Sequence, residues 1–221
     1  MNVNRRKRVL IAVSVDAERD AVLRGLGEAG SGVFEVFAAG VGTAPAAAST
    51  AKKLASGTYD LVVNAGICGG FAGQAEIGSL VVASEIVAAD LGAESAEGFI
   101  GLDELGFGLA RAEVDAGLAG RAAEAFAAAG LPVVLAPILT VSTVTGTAAS
   151  AAELASRVPG AAGEGMEGFG VAAAAKEFGL PVLEIRAVSN AVGPRDKSAW
   201  RIKEALQSLE AASKVLTEVF S

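Results

Sequence analysis

The sequence of 221 residues predicts an α/β fold with a largely parallel or mixed central sheet. Short runs rich in Val, Ile and Leu alternate with longer runs in which apolar residues recur at helical spacing, which is typical of a sheet covered by helices. Apolar residues make up 52% of the chain and aromatic ones only 5%, so we expect a sizeable core of small side chains. No repeat, linker or change of composition divides the chain, so we expect a single domain at residues 9–221 after a basic tail at residues 1–8.

Each predicted strand is a short run of β-branched or other apolar residues that ends at Gly, Pro or a polar residue. In chain order, the predicted strands cover residues 9–15, 33–38, 60–65, 78–84, 135–144 and 182–188. The third strand leads into the glycine-rich stretch 66–70, where missing side chains allow a turn or the close approach of a ligand.

Helices are predicted where apolar residues recur at intervals of three and four. In chain order, they cover residues 17–29, 44–56, 113–129, from 170 to about 178, and 198–220. Asp16 is the expected cap of the first helix, and the amphipathic last helix is expected to pack one side on the sheet. Residues 90–107 show no period, so we predict a long loop that could cover a site. Trp200 is expected in the core or at an interface.

Composition excludes several classes of function. A net charge of −7 argues against a nucleic-acid partner. With no histidine and only Cys68, the chain cannot form a Ser-His or Cys-His nucleophile, a disulfide or a typical zinc site, and we expect no metal or organic cofactor. No apolar run approaches the roughly 20 residues of a membrane-spanning helix. The lone cysteine fits a reducing compartment, so we expect a cytoplasmic protein without a membrane partner.

Polar residues stand where apolar runs end. Ser189 and Asn190 follow the last predicted strand, at the sheet edge where α/β proteins bind ligands, although both types are also common in turns. Glu18 lies in the first turn of a helix, where the helix dipole alone can explain an acid. Glu167 lies among small and apolar residues, where a carboxylate is costly unless paired or bound, or it is a solvated first-turn acid. The glycine-rich turn 40–43 matches neither common nucleotide-binding spacing.

Taken together, these motifs resemble the purine nucleoside phosphorylase and nucleosidase superfamily over about residues 8–220. The resemblance is carried by Glu18 after the first strand, by the runs Asn64-Ala65-Gly66-Ile67-Cys68-Gly69-Gly70 and Gly165-Met166-Glu167-Gly168, and by Arg186-Ala187-Val188-Ser189-Asn190. The chain is most similar to the hydrolase branch, which includes methylthioadenosine/S-adenosylhomocysteine nucleosidase and futalosine hydrolase. The resemblance implies a three-layer α/β/α sandwich with a mixed sheet, no cofactor, and a homodimer or higher homo-oligomer.

The resemblance also implies roles for particular residues. Glu167 matches the acid that holds the ribose hydroxyls, with Met166 packing on the sugar, and Glu18 matches the base that activates water. Asn190 matches the residue that contacts the purine near N7. Substrate contacts are also expected from Ser189, Gly66 and Ile67, and Ile67 stands where nucleosidases of the methylthioadenosine type have a serine.

Asn190 differs from the residue that the adenine-releasing nucleosidases have at this position, and the difference bears on the substrate. Adenine-releasing nucleosidases resemble this chain but have Asp at this position as a general acid, and an amide cannot supply that proton. An amide can instead donate to O6 of a 6-oxopurine and accept from a protonated N7. We therefore expect hypoxanthine as the leaving base, and the resemblance then implies hydrolysis of futalosine in menaquinone biosynthesis.

Alternatives remain open at this stage. A methylthioadenosine/S-adenosylhomocysteine-type nucleosidase, a purine nucleoside phosphorylase and a non-catalytic nucleoside sensor all fit the fold. The acidic loop at residues 14–18 favours water over phosphate as nucleophile. Arg195 could hold the benzoate carboxylate of the substrate or cap the last helix against acids. The pocket for the 5′ side of the substrate is expected to be lined by residues 90–107 and a neighbouring subunit.

Overall fold

The computed structural model describes residues 7–220. Most of the predicted basic tail, residues 1–6, therefore lies outside the described residues. The strands are β1 (Val9–Val13), β2 (Phe34–Ala38), β3 (Leu61–Gly70), β4 (Leu80–Ala88), β5 (Gly92–Ser95), β6 (Gly98–Gly101), β7 (Arg111–Glu113), β8 (Val133–Thr140), β9 (Gly163–Gly165) and β10 (Val182–Ala191). The helices are α1 (Asp16–Leu26), α2 (Thr43–Ser56), α3 (Ala116–Ala128), α4 (Ala148–Arg157), α5 (Gly168–Glu177) and α6 (Ile202–Val219), with 3₁₀ turns at Glu28–Gly30 and Lys197–Ala199.

The central sheet is mixed and partly closed on itself. β2, β1, β3 and β10 lie side by side and parallel, and β10 continues antiparallel to β4. β4 then pairs in parallel with β8, β8 in parallel with β9, and β9 returns antiparallel to β3. Five strands thus form a closed ring, with β1 and β2 as an extension and β7 paired to β4.

The long strand β3 organises the site because one of its edges has two different neighbours. Its first part pairs with β1 as far as Asn64, whereas its last two residues, Gly69 and Gly70, pair with β9. Between these two pairings the edge of β3 is left without a neighbouring strand. Its backbone groups there must find other partners, because unpaired buried N–H groups are costly. The candidate site lies at this opening.

Helices cover both faces of the sheet, which confirms the predicted three-layer α/β/α class. Helices α1, α3 and α6 bury side chains such as Val22, Phe126 and Leu209 on one face, and α2 and α5 bury Leu54 and Val171 on the other. None of the helices within residues 7–220 combines the length and the apolar character needed to cross a membrane.

One close helix contact sets the position of a site residue. A Cβ on Gly170 would lie 2.2 Å from the backbone oxygen of Thr43, so only glycine lets the start of α5 approach the start of α2 this closely. The same contact brings Glu167, which precedes α5, beside the backbone of Gly42.

Several local predictions are wrong. The glycine-rich stretch 66–70 is the second half of β3, and the predicted loop at 90–107 contains the hairpin β5–β6. Three short or alanine-rich elements, β7, α4 and β9, carry too weak a pattern to be predicted. Asp16 does not cap α1: Val15 is the capping residue, and Asp16 forms an ion pair of 2.8 Å with Arg19 instead.

Candidate active site

A cavity of about 300 Å³ opens at the carboxyl ends of β1, β3 and β10, next to the gap between β1 and β9. Six of the seven site residues predicted from the sequence line it: Glu18, Ile67, Met166, Glu167, Ser189 and Asn190. The seventh, Gly66, lies behind its wall. The structure therefore brings together residues from four separate parts of the chain.

Glu18 bridges the opening in the sheet. Its carboxylate accepts hydrogen bonds from the backbone N–H groups of Ser14 (2.8 Å) and Val15 (3.2 Å) at the end of β1. Its other oxygen accepts from the N–H of Ile67 (2.8 Å), which lies on the edge of β3 that has no neighbouring strand. Although Glu18 is only 3% exposed, it lines the cavity, so a buried carboxylate faces any ligand there.

Glu167 is the second buried carboxylate in the cavity wall, and it is 4% exposed. One oxygen accepts a hydrogen bond from the N–H of Gly42 (3.1 Å), and the other pairs with the Arg186 guanidinium (3.1 Å). Thr43 donates to the backbone oxygen of Met166 (3.1 Å), which ties the loop before Glu167 to the start of α2. The neighbouring methionine gives this carboxylate an apolar flank.

Behind the cavity wall, Arg186 connects the acidic residues. Its Nε donates to Glu184 (2.8 Å) and its Nη2 to Asn64 (2.5 Å) as well as to Glu167. Burial acts to lower the pKa of Arg186, but the carboxylates of Glu184, Glu167 and Glu18 outweigh it and raise the pKa. Arg186 is thus a permanently charged anchor that fixes Glu167. Burial raises the pKa of Glu184 although Arg186 opposes this.

We expect Glu184→Ala to lower the free energy of unfolding by about 3–5 kcal/mol, because removal of one partner of a buried ion pair leaves the other charge poorly compensated. Glu184 is fully buried and its ion pair with Arg186 measures 2.8 Å. The matched control is Glu210→Ala, which removes a pair of the same length with Arg24 on the surface and should cost about 0–1 kcal/mol. Chemical denaturation measures both, and equal losses would contradict the expectation.

Ser189 and Asn190 form a linked pair beside the cavity. The Ser189 hydroxyl lies within hydrogen-bond distance of the backbone oxygen of Cys68 (3.1 Å) and of the side-chain oxygen of Asn190 (2.8 Å). The amide nitrogen of Asn190 donates to the backbone oxygen of Ala191 (3.0 Å). An amide nitrogen carries two hydrogens, so one N–H remains available to a ligand. Cys68 lines the same cavity as a neutral thiol, because burial raises its pKa to about 12.

Gly66 permits the close approach of the charged groups. A Cβ at this position would lie 2.6 Å from Glu18 Oε1 and 2.8 Å from Arg186 Nη1. We expect Gly66→Ala to displace the Glu18 carboxylate. If Glu18 is the base that the family resemblance implies, this change should lower kcat/KM at least about tenfold, because small misplacements of reacting groups are costly. Gly120→Ala, on helix α3 with open space around its Cβ, is the control. Base release by both variants tests this, and full activity of Gly66→Ala would argue against it.

Arg195 and Trp200 lie at the mouth of the cavity. Trp200 lines the cavity and is not in the core, and the Arg195 guanidinium lies 5.2 Å from the centre of its ring. Arg195 forms no ion pair with any residue in the range 7–220. Residues 90–107 contribute nothing to the lining of the cavity within this chain, so the predicted lining by this segment is wrong for the single chain.

Four polar residues of the site region escaped the sequence analysis as functional candidates: Asn64, Glu164, Glu184 and Arg186. A usable signal existed for two of them, because Glu184 and Arg186 alternate with apolar residues inside a buried strand, where charges must be paired. Among residues 7–220, no group of three or more Cys, Asp and Glu side chains is arranged to hold a metal ion.

Comparisons with known proteins show the family and the fold of this chain. Residues 25–221 match the family model described as the phosphorylase superfamily. A futalosine hydrolase of Streptomyces coelicolor is 52% identical, and the match covers 92% of each chain. Among solved structures, a 5′-methylthioadenosine/S-adenosylhomocysteine nucleosidase from Neisseria meningitidis in complex with methylthio-immucillin-A has a TM-score of 0.81 at 22% identity, covering 96% of this chain and 99% of that one. A futalosine hydrolase of Helicobacter pylori has a TM-score of 0.80 at 17% identity, with coverage of 96% and 97%.

The fold, the match of residues 25–221 and these relatives define an enzyme of the phosphorylase superfamily, of the N-ribosyl nucleosidase class. Within that superfamily, the chain belongs to the futalosine hydrolase family, which its 52% identity over 92% of the sequence shows.

Proposed function

We propose that this protein hydrolyses futalosine to hypoxanthine and dehypoxanthinyl futalosine, as a step of menaquinone biosynthesis. The observation that carries the proposal is Asn190, an amide at the wall of a cavity that also presents the buried carboxylates of Glu18 and Glu167. The identity to the Streptomyces coelicolor relative supports the same substrate.

In the proposed reaction, Glu167 accepts hydrogen bonds from the ribose hydroxyls, since one carboxylate can take two such bonds. Its negative charge stabilises the positive charge that develops on the sugar as the bond between C1′ and the base nitrogen breaks. Glu18 orients a water molecule and takes its proton as the water oxygen bonds to C1′. The electrons of the broken bond remain on the base, which takes up a proton from solvent at N7, and Glu18 then returns its proton to solvent.

Asn190 accounts for the choice of base in this proposal. The Ser189 hydroxyl, 2.8 Å from the amide oxygen, favours the orientation in which the amide nitrogen keeps one N–H for the ligand. That N–H donates to O6 of hypoxanthine, while the amide oxygen can also accept from a protonated N7. An adenine would present an amino group to the same N–H, so two donors would face each other.

Water is the proposed nucleophile because the loop after β1 cannot offer its donors to phosphate. The N–H groups of Ser14 and Val15 already bind Glu18. A phosphate at this place would also meet the Glu18 carboxylate, and like charges at short range repel. The only cationic side chain that lines the cavity within residues 7–220 is Arg195, at its mouth.

For Arg195 we propose contact with the benzoate carboxylate of futalosine. Its guanidinium stacks near Trp200 and has no carboxylate partner within residues 7–220, so it is available to an anion. The other role considered, capping of the last helix against acids, is less well supported, because no ion pair joins Arg195 to α6.

We further propose a cytoplasmic homodimer or higher homo-oligomer in which residues 9–221 form the single domain and residues 1–8 a tail. Phe107 and Leu109 are 79% and 68% exposed, and large apolar side chains with such exposure are typical of a surface that another chain covers. Light scattering of the purified protein tests the oligomeric state.

The experiment that tests the function measures free base released from futalosine, inosine and methylthioadenosine, each with and without phosphate. Hypoxanthine from futalosine, independent of phosphate, is the expected result. Release of adenine from methylthioadenosine at a comparable rate would contradict the assignment of the base. A requirement for phosphate would contradict water as the nucleophile, and no release from any substrate would favour a nucleoside sensor.

A further inference from the structure

A third buried carboxylate lines the cavity and has no part in the reaction proposed above. Glu164 lies on the short strand β9, is 5% exposed, and contributes to the cavity wall. In the sheet it stands opposite Gly69 of β3 and Leu139 of β8.

Glu164 is held in one orientation by a single neighbour. It accepts hydrogen bonds from the backbone N–H of Thr145 (3.0 Å) and from the Thr145 hydroxyl. Unlike Glu167, it has no cationic partner among residues 7–220. Burial raises its pKa, and the Thr145 hydrogen bonds counteract this only partly. A carboxylate this buried is costly to maintain, and each of its oxygens can accept another hydrogen bond.

The sheet register places Glu164 and Asn190 on either side of one glycine. Gly69 pairs with Asn190 on β10 and with Glu164 on β9, and residues paired across strands point to the same face. Two strand spacings separate Asn190 from Glu164, which is about 10 Å between their backbones. Gly69 itself has no side chain; a Cβ there would lie 2.9 Å from Cγ2 of Val192 and 3.5 Å from the Asn190 amide nitrogen, and these three residues and Glu164 all line the cavity. The cavity wall thus presents an amide donor and a carboxylate acceptor on the two strands that flank Gly69.

We propose that Glu164 is a specificity-determining residue that accepts a hydrogen bond from the ring N1–H of a 6-oxopurine; this rests on the proposed function. A 6-oxopurine presents an acceptor, O6, next to a donor, N1–H. Asn190 supplies the donor for the first and Glu164 the acceptor for the second. In an adenine bound in the same pose, the lone pair of N1 would face the carboxylate, so Glu164 rejects adenine from the opposite side to Asn190.

Calorimetric binding of free bases tests this without turnover. The wild-type protein, Glu164→Met and Thr145→Val are titrated with hypoxanthine, 1-methylhypoxanthine and adenine. We expect the wild type to bind hypoxanthine about 10- to 100-fold more tightly than its 1-methyl derivative, because a hydrogen bond to a charged group is lost. In Glu164→Met the ratio of the two dissociation constants, 1-methylhypoxanthine over hypoxanthine, should fall to within about threefold, since no acceptor remains.

The control Thr145→Val removes the hydroxyl that contacts Glu164 but keeps the carboxylate, so its ratio should stay near that of the wild type. An unchanged ratio in Glu164→Met would overturn the role of Glu164. Equal effects in both variants would likewise overturn it and show that Glu164 only holds the Thr145 loop. If Glu164→Met does not fold, Glu164→Gln replaces it, and its weaker neutral acceptor should lower the ratio to an intermediate value. Wild-type protein that binds adenine but not hypoxanthine would refute the proposed function itself.

Discussion

Replacement of Glu18 by Gln is expected to lower kcat for base release by about 10²- to 10⁴-fold, the usual contribution of a general base. The amide cannot take a proton from water, and its NH₂ group cannot accept the backbone hydrogen bonds that now hold the carboxylate. Those bonds come from Ser14, Val15 and Ile67. Binding of hypoxanthine should remain within a few-fold of the wild type, because Asn190, which contacts the base in the proposed complex, is unchanged.

The matched control for this variant is Asp16→Asn, which neutralises an exposed acid in the same first helical turn. It should leave kcat unchanged. Steady-state kinetics with futalosine and calorimetry with hypoxanthine give the two readouts. Full turnover by Glu18→Gln would remove Glu18 from the mechanism, whereas loss of both binding and turnover would indicate that it holds the fold of the loop.

Replacement of Asn190 by Asp is expected to lower kcat/KM for futalosine by at least about 100-fold, because it removes a donor and places an unpaired charge next to O6. The same change should raise adenine release from methylthioadenosine, since a carboxylic acid can protonate a leaving purine where an amide cannot. The prediction is thus a reversal of base preference and not a general loss of activity.

The ratio of hypoxanthine to adenine released from equimolar futalosine and methylthioadenosine measures this reversal. The variant Ser189→Ala serves as a control, because it removes the hydroxyl that contacts Asn190 (2.8 Å) without changing the charge. Its rates should fall moderately while its preference for hypoxanthine persists. A drop of both activities in Asn190→Asp by the same factor would mean that this residue does not select the base.

Local sequence patterns predicted the strands and helices whose burial is typical of their secondary structure. The alternation of apolar residues located β1, β2 and the helices α2 and α6 to within a few residues. The same patterns did not predict that the strand continues through Gly66–Gly70, since glycine is a poor strand former. Tertiary pairing with β10 and β9 overrides the low strand preference of glycine there. The hairpin β5–β6 was missed for the same reason, because its short strands contain Gly at three of eight positions.

At the site, too, some residues could be predicted from the sequence and others could not. The chemical types that matter were readable along the chain: an acid after the first strand, an acid beside Met166, and an amide at the end of the last strand. The partners of these residues could not be predicted, because the interacting residues are far apart in sequence. Arg186 is separated by 119 positions from Ile67 and by 122 from Asn64, both of which it contacts.

The sequence by itself determined the α/β class, the family resemblance and six of the residues that face the cavity, which are Glu18, Ile67, Met166, Glu167, Ser189 and Asn190. Only the tertiary structure decided that β9 returns to β3 and closes the ring, because a three-residue strand carries no readable period. That closure pairs Glu164 with Gly69, whose other neighbour is Asn190. It also leaves the part of the β3 edge between β1 and β9 free to bind Glu18. Hydrogen bonding between distant strands sets these positions, and no local preference of the chain encodes it.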